Sequence, residues 1–206
     1  MKLPARYNEK ANDSFRTKIR LYLFSKAMNN TWQDFGQDDF SRFEISKDLV
    51  KTYTTEYWQY EPEYEIRAGL TNDMIQKEIA RQEVGLKTVI EALRQDYITR
   101  VFPALFPPEE FVALTDTEEC AYCGITIPMV TVLANKQQLF KKNYRGWSLE
   151  IDRKDSNFEY SPDNCVMACY WCNNAKTDEF THEEFRKVGE AIQDVWNARL
   201  SKETNY

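Results

Sequence analysis

Several features are scarce or missing in this 206-residue sequence. No apolar run reaches the roughly 20 residues that span a bilayer, and no secretory signal follows Met1, so we expect no membrane segment and a cytoplasmic protein. The five cysteines fit a reducing compartment better than a disulfide scaffold. Internal repeats and low-complexity tracts are absent. Histidine occurs once, as His182, so only this residue can supply an imidazole as a base or a metal ligand.

An excess of positive charge is also missing. The chain has 33 acidic against 27 basic residues and a formal net charge of −6 at pH 7. This balance disfavours nonspecific nucleic-acid binding, because phosphate contacts need Lys and Arg. The charge is uneven, however, since residues 1–30 are basic and residues 34–65 are acidic. The basic segment could form a positive surface, or both segments could simply be solvated faces.

Four of the cysteines form two C-x-x-C pairs, Cys120 with Cys123 and Cys169 with Cys172. This spacing predicts one tetrahedral zinc site of the structural kind, because four thiolates leave no ligand position for water. The alternative is four unrelated reduced thiols in a core, which the paired spacing disfavours. Too many residues separate the pairs for a simple zinc ribbon, so we expect further structure between them. Cys165 lies in a predicted strand and is expected to be a buried thiol, not a fifth ligand.

Three short motifs accompany the cysteine pairs. They are Ile-Asp-Arg at 151–153, Pro-Asp-Asn at 162–164 and Cys-Asn-x-x-Lys at 172–176. Over residues 118–188 this order resembles the HNH nucleases, the ββα-metal or His-Me finger group, and most closely the branch with Asp-Arg where most members carry Asp-His or His-His. The resemblance implies a metal-dependent endonuclease that hydrolyses phosphodiester bonds in DNA, with RNA also possible. Such nucleases are typical of phages, restriction systems and antiphage defence.

The same resemblance assigns four catalytic residues. Asp152 and Asn173 would hold a divalent ion, Mg²⁺ or Mn²⁺, through the oxygen atoms that hard cations prefer. Asn164 would brace the loop between the two finger strands by hydrogen bonds to the backbone. Arg153 stands in place of the usual histidine base. Because arginine stays protonated, it cannot accept a proton, but it can bind the scissile phosphate.

The sequence leaves the proton acceptor and the nucleic-acid contacts open. We expect cleavage without a histidine base, so the candidate acceptors are Asp155, Glu159, Tyr160 and a metal-bound hydroxide. A catalytic role of His182, which lies outside the motifs, is the alternative. Basic side chains near the motif are candidate phosphate contacts: Lys141, Lys142, Arg145 and Lys176. Lys176 is equally compatible with a solvated position.

The expected fold class is α+β, with a mostly helical N-terminal region, a zinc-bound ββα-metal finger and a C-terminal helix. We expect a region at 1–106 that binds the target, a protein partner or a second copy, a proline-containing linker at 107–117, and a nuclease domain at 118–206. Periodicity and composition predict helices at 13–29 and 71–101, a capped helix from Thr181, and strands or extended segments at 52–60 and 125–132. The resemblance implies the two finger strands at 147–151 and 164–168 and a helix from about residue 170.

A different class of function fits the same residues. A non-catalytic zinc module that binds nucleic acid or a protein would explain the missing histidine and the acidic balance. Asp152 and Asn173 oppose this alternative, because a purely structural finger does not need both residues at these positions.

Overall fold

The computed structural model describes residues 5–58, 61–140 and 144–202. The chain divides into two compact units. One comprises the residues up to Pro107 together with Asn157–Tyr160, and the other comprises Pro108–Ser156 and the residues from Ser161 onward. Helices predominate, and the described residues form two antiparallel sheets of two strands each. The predicted α+β fold class is therefore confirmed.

The first unit is built mainly from two long helices. Helix α1 (Ala5–Asn29) packs against α4 (Asn72–Asp96), which continues through a π-helical turn at Tyr97–Val101. The remaining elements of this unit are short: α2 (Gln37–Arg42), α3 (Lys47–Thr52), β1 (Glu65–Arg67), β2 (Leu70–Thr71) and α5 (Phe102–Leu105).

Helix α1 begins well before the predicted N-cap at Asp13. Tyr7 and Ala11 are buried and extend the apolar face of the helix towards its N-terminus. Asp13 instead forms ion pairs with Lys10 and Arg16, three residues away on either side. Residues spaced by three face each other on a helix, so the acidic side chain stabilises the helix from within.

The strand or extended segment predicted at 52–60 is wrong as far as the structure describes it, because residues 47–57 are helical. Ser46 caps this segment by accepting a hydrogen bond from the backbone of Leu49. Tyr53 and Tyr57 are four residues apart and therefore lie on one helix face. Both rings pack on Phe24, with centroid distances of 5.1 and 4.9 Å. The aromatic spacing, which matches a helix, outweighs the β-propensity of the residues.

The second unit contains the predicted finger. Strands β3 (Glu150–Arg153) and β4 (Cys165–Ala168) pair antiparallel, with Asp152 opposite Val166, and helix α8 (Tyr170–Lys176) follows directly. The order β3–β4–α8 therefore gives two strands and a helix. Helix α9 (His182–Leu200) closes the unit, and its predicted capping box between Thr181 and Glu184 is confirmed.

Two predicted elements of this unit are wrong. The linker predicted at 107–117 contains helix α6 (Pro108–Thr115), which is anchored by the fully buried Phe111. The strand predicted at 125–132 is largely helix α7 (Ile127–Asn135). The hydroxyl of Thr126 caps α7 and Pro128 lies in its first turn, where a missing N–H is tolerated. These two residues, which favour a helix start, outweigh the β-propensity of the β-branched residues in this segment.

Among the helices of residues 5–58, 61–140 and 144–202, none has the length and apolar character needed to cross a membrane.

Replacement of Gly189 tests how closely α9 packs on the cysteine-rich turn at residues 120–123. A Cβ at this position would lie 2.5 Å from the carbonyl oxygen of Tyr122. Because backbone must move to relieve this overlap, Gly189→Ala should lower the free energy of unfolding by about 1–3 kcal/mol. Gly85 in α4 has nothing within 4 Å of the equivalent Cβ, so Gly85→Ala should stabilise by about 0.5–1 kcal/mol. Urea unfolding followed by circular dichroism compares the two, and equal effects would contradict the close contact.

Candidate active site and metal centre

The four paired cysteines form one buried cluster. Their Sγ atoms all lie within 4.8 Å of one another, and the Sγ atoms of Cys123 and Cys169 are 3.7 Å apart. A tetrahedron with Zn–S bonds of about 2.3 Å has sulfur–sulfur edges of about 3.8 Å. The thiol donors, their spacing and their burial therefore fit a structural zinc ion. Cys165 is also buried but lies outside the cluster, as predicted.

Local backbone geometry brings each pair of thiols together. The first pair flanks a tight turn, in which Gly124 has φ of +64° and its N–H donates to the carbonyl of Cys120. This left-handed conformation favours glycine. The second pair spans the start of α8, where the Sγ of Cys169 accepts a hydrogen bond from the N–H of Cys172. The cluster therefore ties a turn to the beginning of the helix that carries Asn173.

Helix α8 lies beside strand β3, and two pairs of polar side chains join them. Asn173 donates from Nδ2 to Oε2 of Glu150 over 2.7 Å, and Nζ of Lys176 lies 3.5 Å from Oδ2 of Asp152. Glu150 and Asp152 are two apart on a strand and face the same side, while Asn173 and Lys176 are three apart on a helix and share a face. The predicted metal-binding residues thus lie on facing sides of two neighbouring elements.

The carboxylate of Asp152 is enclosed, with 8% of the residue exposed. Its Oδ2 accepts a 2.6 Å hydrogen bond from the hydroxyl of Tyr122 and also faces the ammonium group of Lys176. Burial raises the pKa of Asp152, and these two neighbours partly offset that rise. Burial likewise raises the pKa of Tyr122, so the phenol keeps its proton at neutral pH and acts as the donor.

One oxygen remains uncommitted on each predicted metal ligand. Within the described part of the chain, neither Oδ1 of Asp152 nor Oδ1 of Asn173 takes part in a hydrogen bond or ion pair. A carboxylate and an amide oxygen are donors that Mg²⁺ and Mn²⁺ accept, and these ions keep several waters in addition. The donor types of Asp152 and Asn173 therefore suit a divalent cation, and a metal site formed by these two residues stays a prediction.

The other predicted catalytic residues lie at the end of β3 and in the loop that follows. The amide of Asn164 exchanges two 3.0 Å hydrogen bonds with the backbone of Asp155, one to its N–H and one to its carbonyl. Arg153 is the last residue of β3, and its carbonyl accepts a hydrogen bond from Lys176. Asn164 thus has backbone contacts of the bracing kind, while the role of the Arg153 guanidinium stays a prediction.

Among the predicted nucleic-acid contacts, Lys176 differs from the expectation. It is 1% exposed, and its Nζ donates to the Arg153 carbonyl over 2.9 Å, so it is neither solvated nor accessible to a phosphate. The buried ammonium group of Lys176 compensates the negative charge of the buried Asp152 carboxylate. Arg145 is half-exposed, but its guanidinium pairs with both carboxylate oxygens of Glu150. Lys141 and Lys142 lie outside the described residues.

Two of the candidate proton acceptors belong to the first unit. Glu159 accepts a 2.6 Å hydrogen bond from the Tyr97 hydroxyl, and the N–H of the buried Tyr160 donates to Ser14. Asp155, the third of these candidates, belongs to the second unit and is exposed.

Sequence reasoning did not identify the contacts that Tyr122 and His182 make beside Asp152. Tyr122 lies inside the first C-x-x-C pair, where it looks like a spacer, and its hydroxyl reaches both Asp152 and Nδ1 of His182. His182 occupies the first turn of α9, where the local signal indicates only a helix start. Burial lowers the pKa of His182, so its imidazole is neutral at pH 7.

No protein-family model and no curated protein matches the chain. Among solved structures, the chain is similar to the rare-cutting HNH restriction endonuclease PacI, with 34% sequence identity and a TM-score of 0.39. The similarity covers 46% of this chain and 66% of that chain. At this TM-score the similarity by itself establishes neither a shared fold nor a shared activity.

Metal analysis tests the cysteine cluster. The purified protein should contain about one zinc ion per chain, and Cys169→Ser should lose it because a tetrathiolate site needs all four ligands. Cys165→Ala is the matched control, since this buried cysteine lies outside the cluster, and it should keep the zinc. Atomic absorption gives the metal content and circular dichroism the folded fraction. Full zinc occupancy in Cys169→Ser would contradict the assignment.

Replacement of the buried ammonium group of Lys176 should be costly. Lys176→Met leaves the enclosed carboxylate of Asp152 without its cation, and breaking such a buried pair costs about 3–5 kcal/mol. Lys187→Met, on the exposed face of α9, should change the free energy of unfolding by at most about 0.5 kcal/mol. Urea unfolding of both variants makes the comparison, and a Lys176→Met protein as stable as the wild type would refute the ion pair.

Proposed function

We propose that the protein is a metal-dependent, HNH-type endonuclease that hydrolyses phosphodiester bonds in DNA. The observation that carries this proposal is that, among the described residues, Oδ1 of Asp152 on β3 and Oδ1 of Asn173 on the neighbouring α8 take part in no hydrogen bond or ion pair. Two of the three motifs that resemble the HNH nucleases, at 151–153 and 172–176, contain these same residues. A purely structural finger does not need an acid and an amide together at this place.

The residues divide the chemical task between them. A divalent ion bound by Asp152 and Asn173 would neutralise charge on the phosphoryl oxygens and assist the leaving oxygen. Arg153 binds the scissile phosphate and stabilises the charge that grows on it, because its guanidinium is a permanent cation. Asn164 keeps the loop after β3 in shape through the backbone of Asp155. Zinc at the four cysteines is structural and holds the start of α8 in register with β3.

Proton removal from the attacking water does not require a histidine in this scheme. Asp155 remains a candidate for the acceptor, and a divalent ion held by Asp152 and Asn173 would lower the pKa of a bound water without any protein base. Glu159 and Tyr160 are less suited, because Glu159 already accepts from Tyr97 and Tyr160 is buried. RNA is the alternative substrate, and pairing with a second copy or another protein through the helical region is a further part of the hypothesis.

A non-catalytic zinc module is the second candidate function. The burial of Asp152 favours it, because the carboxylate, the Tyr122 hydroxyl and the Lys176 ammonium also form a self-sufficient polar cluster in the interior. Such a module would bind a nucleic acid or a protein without binding a divalent ion at Asp152.

Nicking of supercoiled plasmid separates the two functions. The zinc-loaded full chain should nick DNA with Mg²⁺ or Mn²⁺ and fail to do so in EDTA, with zinc content measured after the EDTA treatment. Asp152→Ala and Asn173→Ala should both lose the activity because each removes a metal-binding oxygen.

Asn174→Ala is the matched control for Asn173→Ala. The Asn174 side chain is exposed, and among the described residues it bonds to the carbonyl of Tyr170 in its own helix alone, so this variant should nick like the wild type. Folded, zinc-loaded protein that never nicks DNA, or an Asp152→Ala variant with full activity, would rule out the nuclease in favour of the binding module.

A further inference from the structure

The only histidine of the chain is connected to the candidate metal ligand through a tyrosine. Nδ1 of His182 lies 3.2 Å from the hydroxyl of Tyr122, and the two ring centroids are 5.3 Å apart. The same hydroxyl donates to Oδ2 of Asp152 over 2.6 Å. The three side chains come from α9, the first cysteine turn and β3, so the connection exists only in the folded unit.

The direction of these hydrogen bonds follows from the number of protons. A phenol carries one proton, and that of Tyr122 is directed at Asp152. The hydroxyl oxygen can therefore only accept from His182, which requires the tautomer with hydrogen on Nδ1. The series runs from the His182 Nδ1–H to the Tyr122 hydroxyl and from that hydroxyl to Asp152.

Packing holds α9 where this series can form. The ring of Phe185 meets the ring of Tyr122 edge-on, at a centroid distance of 5.0 Å. Gly189 brings the helix backbone so close to Tyr122 that no Cβ fits between them. Thr181 and Glu184 fix the first turn of α9, the turn that carries His182. The histidine is therefore held by the helix start and by the contact of the helix with the cysteine turn.

We propose that His182 and Tyr122 are positioning residues that hold Asp152 by Oδ2 and so direct Oδ1 towards a catalytic divalent ion. This inference rests on the proposed nuclease function, because it assumes the divalent site. Groups that bond to a metal ligand orient it, and their loss typically lowers metal affinity about 10–100-fold. The series also explains why a chain with Arg153 in the usual histidine position still uses its single histidine at the site.

The experiment measures Mn²⁺ binding to the zinc-loaded full chain by electron paramagnetic resonance, with zinc content as the check on folding. Tyr122→Phe and His182→Ala should each bind Mn²⁺ about 10–100-fold more weakly than the wild type. His182→Asn keeps a donor near the Nδ1 position and should recover most of the affinity that His182→Ala loses. Glu190→Ala, on the exposed side of α9, is the control and should bind normally.

A double variant tests whether the histidine acts through the tyrosine. Once the hydroxyl is gone, His182 has nothing to orient, so Tyr122→Phe with His182→Ala should bind Mn²⁺ no more weakly than Tyr122→Phe alone. Additive losses would mean that the two residues act independently and would overturn the proposal.

Other outcomes separate this inference from the function on which it rests. If Asp152→Ala loses Mn²⁺ while His182→Ala and Tyr122→Phe bind like the wild type, the divalent site that the nuclease requires stands and the positioning series is refuted. If His182→Asn binds Mn²⁺ normally but no longer nicks plasmid, the imidazole acts directly on the reaction and the proposal is overturned. Folded, zinc-loaded wild-type protein that binds no Mn²⁺ would overturn both.

Discussion

Convergence of four thiols is the constraint on which the second unit depends. The cysteine turn at residues 120–123 and the start of α8 are far apart in sequence, yet their Sγ atoms lie within 4.8 Å of one another. Metal–thiolate bonds can fix such a junction where a small core alone would leave it loose. The junction sets the position of Tyr122 at one end and of Asn173 at the other, and the candidate active site lies between these two.

Burial of Asp152 sets the electrostatic character of that site. An enclosed carboxylate is unfavourable unless partners compensate its charge, and here the hydroxyl of Tyr122 and the buried ammonium of Lys176 do so through Oδ2. Because both partners contact Oδ2, Oδ1 of Asp152 stays available for another ligand. The same arrangement that makes the carboxylate tolerable in the interior therefore also orients it, which is what a metal ligand requires.

At two places the fold departs from the sequence-based prediction, because helical spacing and helix-start residues compete with the β-propensity of the side chains. Residues 53–57 and 127–135 are rich in β-branched and aromatic side chains, yet both are helical. In the first case the four-residue spacing of Tyr53 and Tyr57 matches a helix face that packs on Phe24. In the second, Thr126 and Pro128 favour a helix start. Composition alone is a weaker guide than spacing and terminal residues.

The cysteine pairs and the capped start of α9 follow from the sequence, because each depends on the spacing of a few neighbouring residues. The order of two strands and a helix follows from the resemblance that the short motifs carry. The meeting of Tyr122 with Asp152, 30 positions away, and with His182, 60 positions away, does not. It depends on how closely α9 packs on the cysteine turn, which Gly189 permits. The burial of Lys176 likewise arises only when α8 lies along β3. Such contacts are products of packing in three dimensions, and no local pattern encodes them.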